Sequence, residues 1–338
     1  MKQKNYNLEI VRMISFLMVI AIHIANYYCR AYGSISSGEY YFSLLINTIS
    51  RVSVPCFFML SGALLLGRQD TMQKSQGRAK NMLLKLGVWS VAFYFFNTYV
   101  THQTTFRISN FWYSPSEAHL WYLYVLIPIY IMLPFLQVLS NGLDEKLEKA
   151  FAILGFVWLS AVYVLSVFGK GFYYDLPILG NRSYIYYFFM GYLINKHRER
   201  ITLKTKHHLV IISMCSVIIF AVTVAVTLNS HVHYEKFLNY GNPFMILASL
   251  SFFAIFLCKK PEEFRLSEKA KNSIDNWSAC SFGIYIVHIF FLDIYKMKFA
   301  PSDCIAYVTI PALVVLLAVV SFLFVKLIHS FSIGRKIL

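Results

Sequence analysis

Residues 8–29 read LEIVRMISFLMVIAIHIANYYC, an apolar run long enough to cross the hydrocarbon core of a membrane as one helix. Two basic residues, Arg12 and His23, lie inside the run, eleven positions apart. At roughly 100° per residue this spacing places both side chains on one face, about 16 Å apart along the helix axis. Ionisable residues at membrane depth are costly and normally face a bundle interior or a wet cavity. The run therefore predicts a membrane helix with one polar face.

This polar face also has an explanation without function. Arg12 alone could extend toward the cytosolic headgroups, and His23 alone could hydrogen-bond to a neighbouring helix. However, the two residues are aligned, and Glu9, Ser15 and Asn26 fall on or near the same stripe. The alignment favours a functional role for the pair.

The composition is that of an integral membrane protein, because 58% of the 338 residues are hydrophobic and only 14% are charged. The formal charge of +15 does not indicate nucleic-acid binding, since the basic residues cluster between apolar runs as the positive-inside rule predicts. The first run is too long for a signal peptide. The six cysteines stand singly, so neither a disulfide framework nor a metal site is predicted.

Ten segments are predicted to cross the membrane. They lie near residues 8–29, 42–66, 82–101, 119–139, 149–168, 178–195, 208–228, 243–258, 278–295 and 304–328. With the N-terminus inside, 23 of the 31 lysines and arginines fall on the inner side, 7 on the outer side and 1 in the membrane. This asymmetry predicts a polytopic all-α bundle of about ten transmembrane helices with both termini cytosolic. No repeat or long linker divides the chain, so residues 1–338 are predicted to form a single domain.

The second segment carries the next polar residue, Arg51, at a depth comparable with that of His23. An arginine at this depth needs a partner or water. Pro55 predicts a kink, because proline removes a backbone donor. Ser61 and Gly62 form a small surface for close helix packing, which is the favoured explanation for them.

Five stretches recur in the order found in one family of membrane enzymes. They are Arg12 and His23 with ten residues between them, RVSVPCFFMLSG at 51–62, HLWYLYVLIPIYIMLP at 119–134, FFMGY at 188–192 and SFGIYIVH at 281–288. Together they resemble the landmarks of the acyltransferase 3 family. The resemblance implies an enzyme that moves an acyl group, often acetyl, from cytosolic acyl-CoA to a hydroxyl of an extracytoplasmic glycan.

On this resemblance the chain is expected to be a multi-pass O-acetyltransferase of a bacterial inner membrane that modifies a cell-envelope polysaccharide. Acetyl-CoA or another acyl-CoA is the expected donor, and no metal is expected. The expected partners are the lipid bilayer, acyl-CoA and the acceptor glycan, without nucleic acid. The oligomeric state stays open, with a homo-oligomer as one alternative.

The implied chemistry assigns roles to three residues. Acyl transfer needs a base for the acceptor hydroxyl or a nucleophile that carries the acyl group, and histidine suits either role near neutral pH. His23 is expected to be that base or carrier. Arg51 is expected to stabilise the oxyanion or to orient His23. His288 is expected to assist proton transfer or to hold the acceptor, although a simple hydrogen bond to a neighbouring carbonyl is the alternative.

The donor is expected to bind at the cytosolic end of the first helix. Arg12 faces this end and could hold a phosphate or the pantetheine carbonyl. Arg78, Lys80 and Lys85 add cations for the CoA phosphates, but positive inner loops also occur without any ligand. Relatives often have a compact arginine pair in this loop, and here the three cations are spread out.

The acceptor is expected at the outer mouth, with Glu117, His119, Trp121 and Asn26 as contacts. The alternative for the aromatic residues is the interfacial belt that any membrane protein has. A second function, from another class, is a transporter or permease that uses the same intramembrane charges. Transporters often show helices broken at matching positions of two repeats, and no such pair is evident here.

Overall fold

The computed structural model describes residues 5–103, 106–180, 182–257 and 266–338, and this part of the chain contains helices and no strand. The helices are α1 Tyr6–Cys29, α2 Ser37–Ser50, α3 Ser53–Leu65, α4 Met72–Tyr99, α5 Trp121–Gly142, α6 Glu145–Val167, α7 Tyr184–Lys196, α8 Thr205–Ser230, α9 Pro243–Leu257, α10 Glu268–Lys296, α11 Ala306–His329 and α12 Gly334–Ile337. Single 3-10 turns lie at Ile108–Asn110, Ala118–Leu120, Arg198–Arg200, Lys236–Leu238 and Pro301–Asp303.

The predicted polytopic all-α bundle is confirmed. Among the described residues, eight stretches are long and apolar enough to cross a membrane. They are Tyr6–Cys29, Ser37–Leu65, Ala118–Gly142, Glu145–Val167, Thr205–Ser230, Lys236–Leu257, Glu268–Lys296 and Ala306–Ser330.

The other two predicted segments, 82–101 and 178–195, fall on helices below that threshold. α4 has 28 residues but begins with a polar turn and carries several basic side chains. α7 has only 13 residues, whereas a full crossing needs about 20. The last residue of the predicted segment 243–258, Cys258, lies outside the described residues.

The second span is broken between α2 and α3, as Pro55 predicts. A proline ring clashes with the carbonyl of the residue four positions earlier, which here is Arg51, the residue at the break. The Ser53 hydroxyl donates to the Ser50 carbonyl at 2.7 Å and so satisfies one backbone group that the break exposes. Arg51 therefore lies at the break, between the two halves of the second span.

α3 and α7 pack so closely that two glycines are required. A Cβ atom on Gly62 would lie 1.7 Å from the Phe188 carbonyl oxygen, and one on Gly191 would lie 2.0 Å from the Met59 carbonyl oxygen. Two of the stretches that resemble the family, at 51–62 and 188–192, thus form one helix contact. The packing role predicted for Gly62 is confirmed, whereas its neighbour Ser61 lines a cavity.

α1 lies at the centre of the bundle, where it packs against α2, α3, α9, α10 and α11. Its apolar faces are buried, with Ile20, Ile24 and Val11 fully enclosed. One stripe remains for polar residues, and that stripe faces the cavity described next.

Candidate active site

A cavity of about 510 Å³, called the central cavity below, runs along one face of α1. α1 contributes to its wall Arg12, Val19, His23, Asn26 and Arg30. Their spacing of three, four or seven residues places them on one stripe. From Arg12 to Arg30 the stripe extends about 27 Å along the helix axis, most of a membrane crossing. Small-molecule sites typically enclose about 300–1,000 Å³, so the central cavity has the size of a ligand site.

Most of the predicted site residues meet in the central cavity. Its lining includes His23, Arg51, Arg12, Asn26, Glu117, His119 and Trp121. They come from α1, from the break between α2 and α3, and from the start of α5. Four other predicted site residues, His288, Arg78, Lys80 and Lys85, do not line it.

Three histidines lie together in the middle of the bundle. The ring centroid of His23 is 5.2 Å from that of His288 and 6.3 Å from that of His119, and the latter two are 5.8 Å apart. His119, which the sequence predicts as an acceptor contact, lines the central cavity beside His23. His288, predicted as catalytic, contacts His23 without lining the central cavity, so it reaches a ligand only through His23.

Hydrogen bonds to backbone carbonyls assign the tautomers of two of these rings. Nδ1 of His288 lies 3.1 Å from the Ile284 carbonyl oxygen, and Nε2 of His119 lies 3.1 Å from the Ile286 carbonyl oxygen. A carbonyl can only accept, so each of these nitrogens carries the proton. The remaining nitrogen of each ring then has a lone pair. Neither Nε2 of His288 nor Nδ1 of His119 has a hydrogen-bond partner among the described residues.

Arg51 is oriented by a chain of amides that starts on α1. Asn47 donates through Nδ2 to Oδ1 of Asn26 at 3.1 Å, and its own Oδ1 accepts from Nε of Arg51 at 3.0 Å. The guanidinium lies 5.9 Å from the ring centroid of Tyr240. Within the described part of the chain no hydrogen bond involves the two terminal amino groups of Arg51, so these groups are available to a ligand.

Arg12 has an acidic partner at the opposite end of the stripe. Its Nη1 lies 2.5 Å from Oε2 of Glu9, which is itself mostly buried. This ion pair uses one of five N–H donors and holds the guanidinium against α1. Three hydroxyl groups, on Ser61, Tyr122 and Tyr130, also line the central cavity.

The Arg30 end of the cavity carries charges of both signs. Nε of Arg30 donates to Oε1 of Glu235 at 2.8 Å, and both residues line the cavity. Burial raises the pKa of Glu235 and the hydrogen bond from Arg30 lowers it, with a net downward shift. Glu117 accepts from Nδ2 of Asn97 at 3.1 Å, and burial raises the pKa of this carboxyl. Glu235 thus stays ionised more readily than Glu117.

The three cations predicted to bind CoA from the inner loop lie on α4 instead, and they are not brought together. Arg78 and Lys74 each approach one carboxylate oxygen of Asp70 at 2.6 Å, and Gln137 donates to this carboxylate at 3.1 Å. We call these four residues the Asp70 cluster. Burial by itself raises the pKa of Asp70. The hydrogen bonds from Arg78, Lys74 and Gln137 have a larger effect in the opposite direction, and the pKa lies well below its usual range. The charge of Arg78 thus holds the loop between α3 and α4.

The other two loop cations have separate environments. Lys85 is buried, donates to the Leu338 carbonyl oxygen and lies 4.8 Å from the ring centroid of Phe282. Lys80 lines an apolar groove on the outside of α4. The geometry therefore gives no common anion site for Arg78, Lys80 and Lys85.

Sequence reasoning missed several residues of the cavity wall, notably Arg30, Glu235, Tyr240 and Lys296. Arg30 follows Asn26 by four positions and so continues the stripe of α1, a signal that could have found it. Glu235 and Tyr240 lie in the loop and turn before α9, and nothing in their spacing connects them with α1.

Comparison with known proteins identifies the family of the chain. The family model of acyltransferase 3, described as an acyltransferase domain, matches residues 5–330. An amino-acid racemase of Enterococcus faecalis is 26% identical over 202 residues, which are 56% of this chain and 26% of that protein. The chain thus matches only about a quarter of that relative. No solved structure matches. Because the family model covers nearly the whole chain, the protein belongs to the acyltransferase 3 family of membrane acyltransferases.

Proposed function

We propose that the protein transfers an acyl group, in the simplest case acetyl, from acyl-CoA to a hydroxyl of a cell-envelope glycan, with His23 at the point of transfer. The observation that carries this proposal is that one cavity holds His23 between Arg12 at one end and Arg30 at the other. A donor and an acceptor that enter from opposite sides would meet at His23.

The donor is proposed to enter at the Arg12 end, which the charge asymmetry predicts to be cytosolic. The free N–H donors of Arg12 suit a phosphate or a carbonyl oxygen. The hydroxyls of Ser61, Tyr122 and Tyr130 could bind the amides of the pantetheine arm. Along α1 the distance from Arg12 to His23 is about 16 Å, so an extended arm is needed to bring a thioester to His23.

The acceptor is proposed to enter at the Arg30 end. Trp121 lies between aromatic neighbours, with ring centroids 5.1 Å from Tyr184 and 6.1 Å from Tyr240, and a flat apolar surface of this kind suits a sugar ring. Glu117, Asn26 and Arg30 supply polar groups for sugar hydroxyls. The bound hydroxyl would then point toward His23.

Two routes balance chemically. In direct transfer His23 takes the proton of the acceptor hydroxyl, the oxygen forms a bond to the acyl carbon, the carbon–sulfur bond breaks, and the leaving thiolate takes the proton from His23. In the covalent route a lone pair of His23 attacks the acyl carbon and the carbon–sulfur bond breaks, which releases the thiolate. The acceptor hydroxyl then attacks the acyl-imidazole and the carbon–nitrogen bond breaks; the hydroxyl proton passes to the freed nitrogen of His23 and from it to the thiolate. In either route the amino groups of Arg51 would stabilise the negative oxygen of the tetrahedral intermediate.

The test is an assay of purified protein in liposomes with radiolabelled acetyl-CoA and an envelope saccharide extract. Transfer of label to the saccharide is expected from the wild type, and neither transfer nor adduct from His23→Ala. The matched control is His208→Ala, which removes a buried histidine of α8 outside the central cavity. Uptake of saccharide without labelling would support the transporter instead. Label retained on the wild-type protein without acceptor would favour the covalent route.

A further inference from the structure

We infer that His288 is a positioning residue that accepts the N–H of His23 and thereby directs the lone pair of His23 into the central cavity. This inference rests on the proposed role of His23. It assigns to a fully buried histidine a function that needs no contact with either substrate.

The first observation is the state of the His288 ring. The residue is 0% exposed, and its Nδ1 is committed to the Ile284 carbonyl. Its Nε2 therefore carries a buried lone pair without a donor among the described residues. A buried acceptor without a donor costs free energy, so a nearby N–H group stabilises the structure when it turns toward this atom.

The second observation is the position of His23. Two imidazole rings joined by an N–H···N hydrogen bond of about 3 Å have centroids about 5 Å apart. The centroids of His23 and His288 are 5.2 Å apart, which matches this distance. The centroids of His23 and His119 are 6.3 Å apart, too far for a direct hydrogen bond. His23 borders the cavity, so its ring has room to turn, whereas the ring of His288 is enclosed.

Neutral imidazole has one N–H and one lone pair, so a hydrogen bond at one nitrogen decides which nitrogen can react. When His23 donates to His288, its other nitrogen has the lone pair and faces the cavity. Direct transfer and the covalent route both need this arrangement. The proton taken from the acceptor stays on the cavity-facing nitrogen of His23 and leaves with the thiolate, so His288 neither gains nor loses a proton.

The kinetic test compares two substitutions at position 288. His288→Leu fills the space and removes the acceptor. Partners that orient metal-binding histidines are typically worth about 10–100-fold, and we take the same factor for His23. We expect kcat to fall by that factor while KM for acetyl-CoA stays unchanged. His288→Gln supplies an amide oxygen near the place of Nε2 and should retain most of the activity. His208→Leu, the matched substitution outside the cavity, should leave kcat unchanged.

The spectroscopic test needs no acceptor and no turnover. In protein labelled with ¹⁵N-histidine in lipid nanodiscs, the signals of His23 are assigned by their loss in His23→Gln. One tautomer of His23 is expected in the wild type and in His288→Gln, and a mixture in His288→Leu. The same tautomer in all three proteins, or full kcat in His288→Leu, would overturn the inference. If the wild type transferred no acyl group but showed this tautomer pattern, the proposed function would fail and the positioning role would stand.

Discussion

The central cavity and the Asp70 cluster both place a partly buried arginine beside hydrogen-bonding side chains, yet they use it differently. In the Asp70 cluster both oxygens of the carboxylate face a cation at 2.6 Å, and Gln137 also donates to the Leu65 carbonyl at 2.8 Å. In the central cavity the described residues give Arg51 an amide and an aromatic ring as partners but no carboxylate, and they give two histidine nitrogens no hydrogen-bond partner. Paired charges hold the fold in place, and incompletely paired groups are available to a ligand.

The largest expected effect lies in the central cavity. His23→Gln keeps a hydrogen-bonding side chain but cannot take a proton, so acyl transfer should fall by about 10²–10⁴-fold or more. Acyl-CoA binding and thermal stability in detergent should stay near those of the wild type. Substantial activity in His23→Gln would mean that His23 only positions the substrate.

The Asp70 cluster should show the opposite response. Asp70→Asn leaves Arg78 and Lys74 without their counter-charge, and because these two cations are partly exposed, the cost should lie below the about 3–5 kcal/mol typical of a fully buried ion pair. The unfolding temperature should therefore fall, whereas kcat of the folded fraction should not change. A loss of acyl-CoA affinity at unchanged stability would place this cluster in the donor site.

The same cluster predicts a pH dependence. The pKa of Asp70 is depressed in the folded protein, so its stabilisation is complete above the ordinary aspartate pKa and is lost as the pH falls toward the lower folded value. The difference in stability between wild type and Asp70→Asn should therefore be constant near neutral pH and shrink below about pH 4. Thermal unfolding of both proteins across this range measures it, and a difference that stayed constant into strong acid would contradict the ion pairing.

A pair of arginine substitutions separates the two regions directly. Arg12→Met removes a cavity cation, and a charge-assisted contact of about 1.5–3 kcal/mol should raise the acyl-CoA dissociation constant by about tenfold or more. Arg78→Met should lower stability and leave that constant unchanged. Isothermal titration with acetyl-CoA measures the dissociation constant of both variants. Equal losses of affinity would mean that the central cavity and the Asp70 cluster do not differ in donor binding.

The smallest effect is expected at Lys80, the exposed cation on the outside of α4. Lys80→Ala should change stability by no more than about 0.5 kcal/mol, as substitutions at free surface positions usually do. It should also leave acyl-CoA affinity unchanged, which makes it the control for Arg12→Met. A tenfold weaker affinity for acyl-CoA in Lys80→Ala would show that Lys80 contributes to donor binding after all.

Sequence patterns predicted those features that depend on local periodicity. The stripe of α1, the break at Pro55 and the close packing at Gly62 each follow from spacing or residue type within one segment. The ordered stretches that resemble the family also gave the class of enzyme. These features required no knowledge of which helices are neighbours.

The remaining features depend on contacts between distant parts of the chain. His119 is 96 positions from His23 in sequence, and only the tertiary fold, which brings the 3-10 turn before α5 next to α1 and α10, places their rings together. In the sequence Asp70 cannot be distinguished from an ordinary loop carboxylate, because its partner Gln137 lies on the distant helix α5. Glu235 reaches Arg30 across a separation of 205 positions. The sequence therefore predicts a ligand for the positive charge of Arg78, whereas the structure places this residue on α4 and pairs its charge with Asp70.

The central claim is that donor and acceptor meet at His23 from opposite ends of one cavity. Its most direct test uses proteoliposomes that contain radiolabelled acetyl-CoA, with an impermeant envelope saccharide extract outside. The orientation of the protein is measured by the access of a protease to a C-terminal tag. Label should appear on the external saccharide, in proportion to the fraction of protein whose Arg12 end faces inward, and should disappear in His23→Gln. Transfer only when donor and acceptor share one compartment would contradict the account.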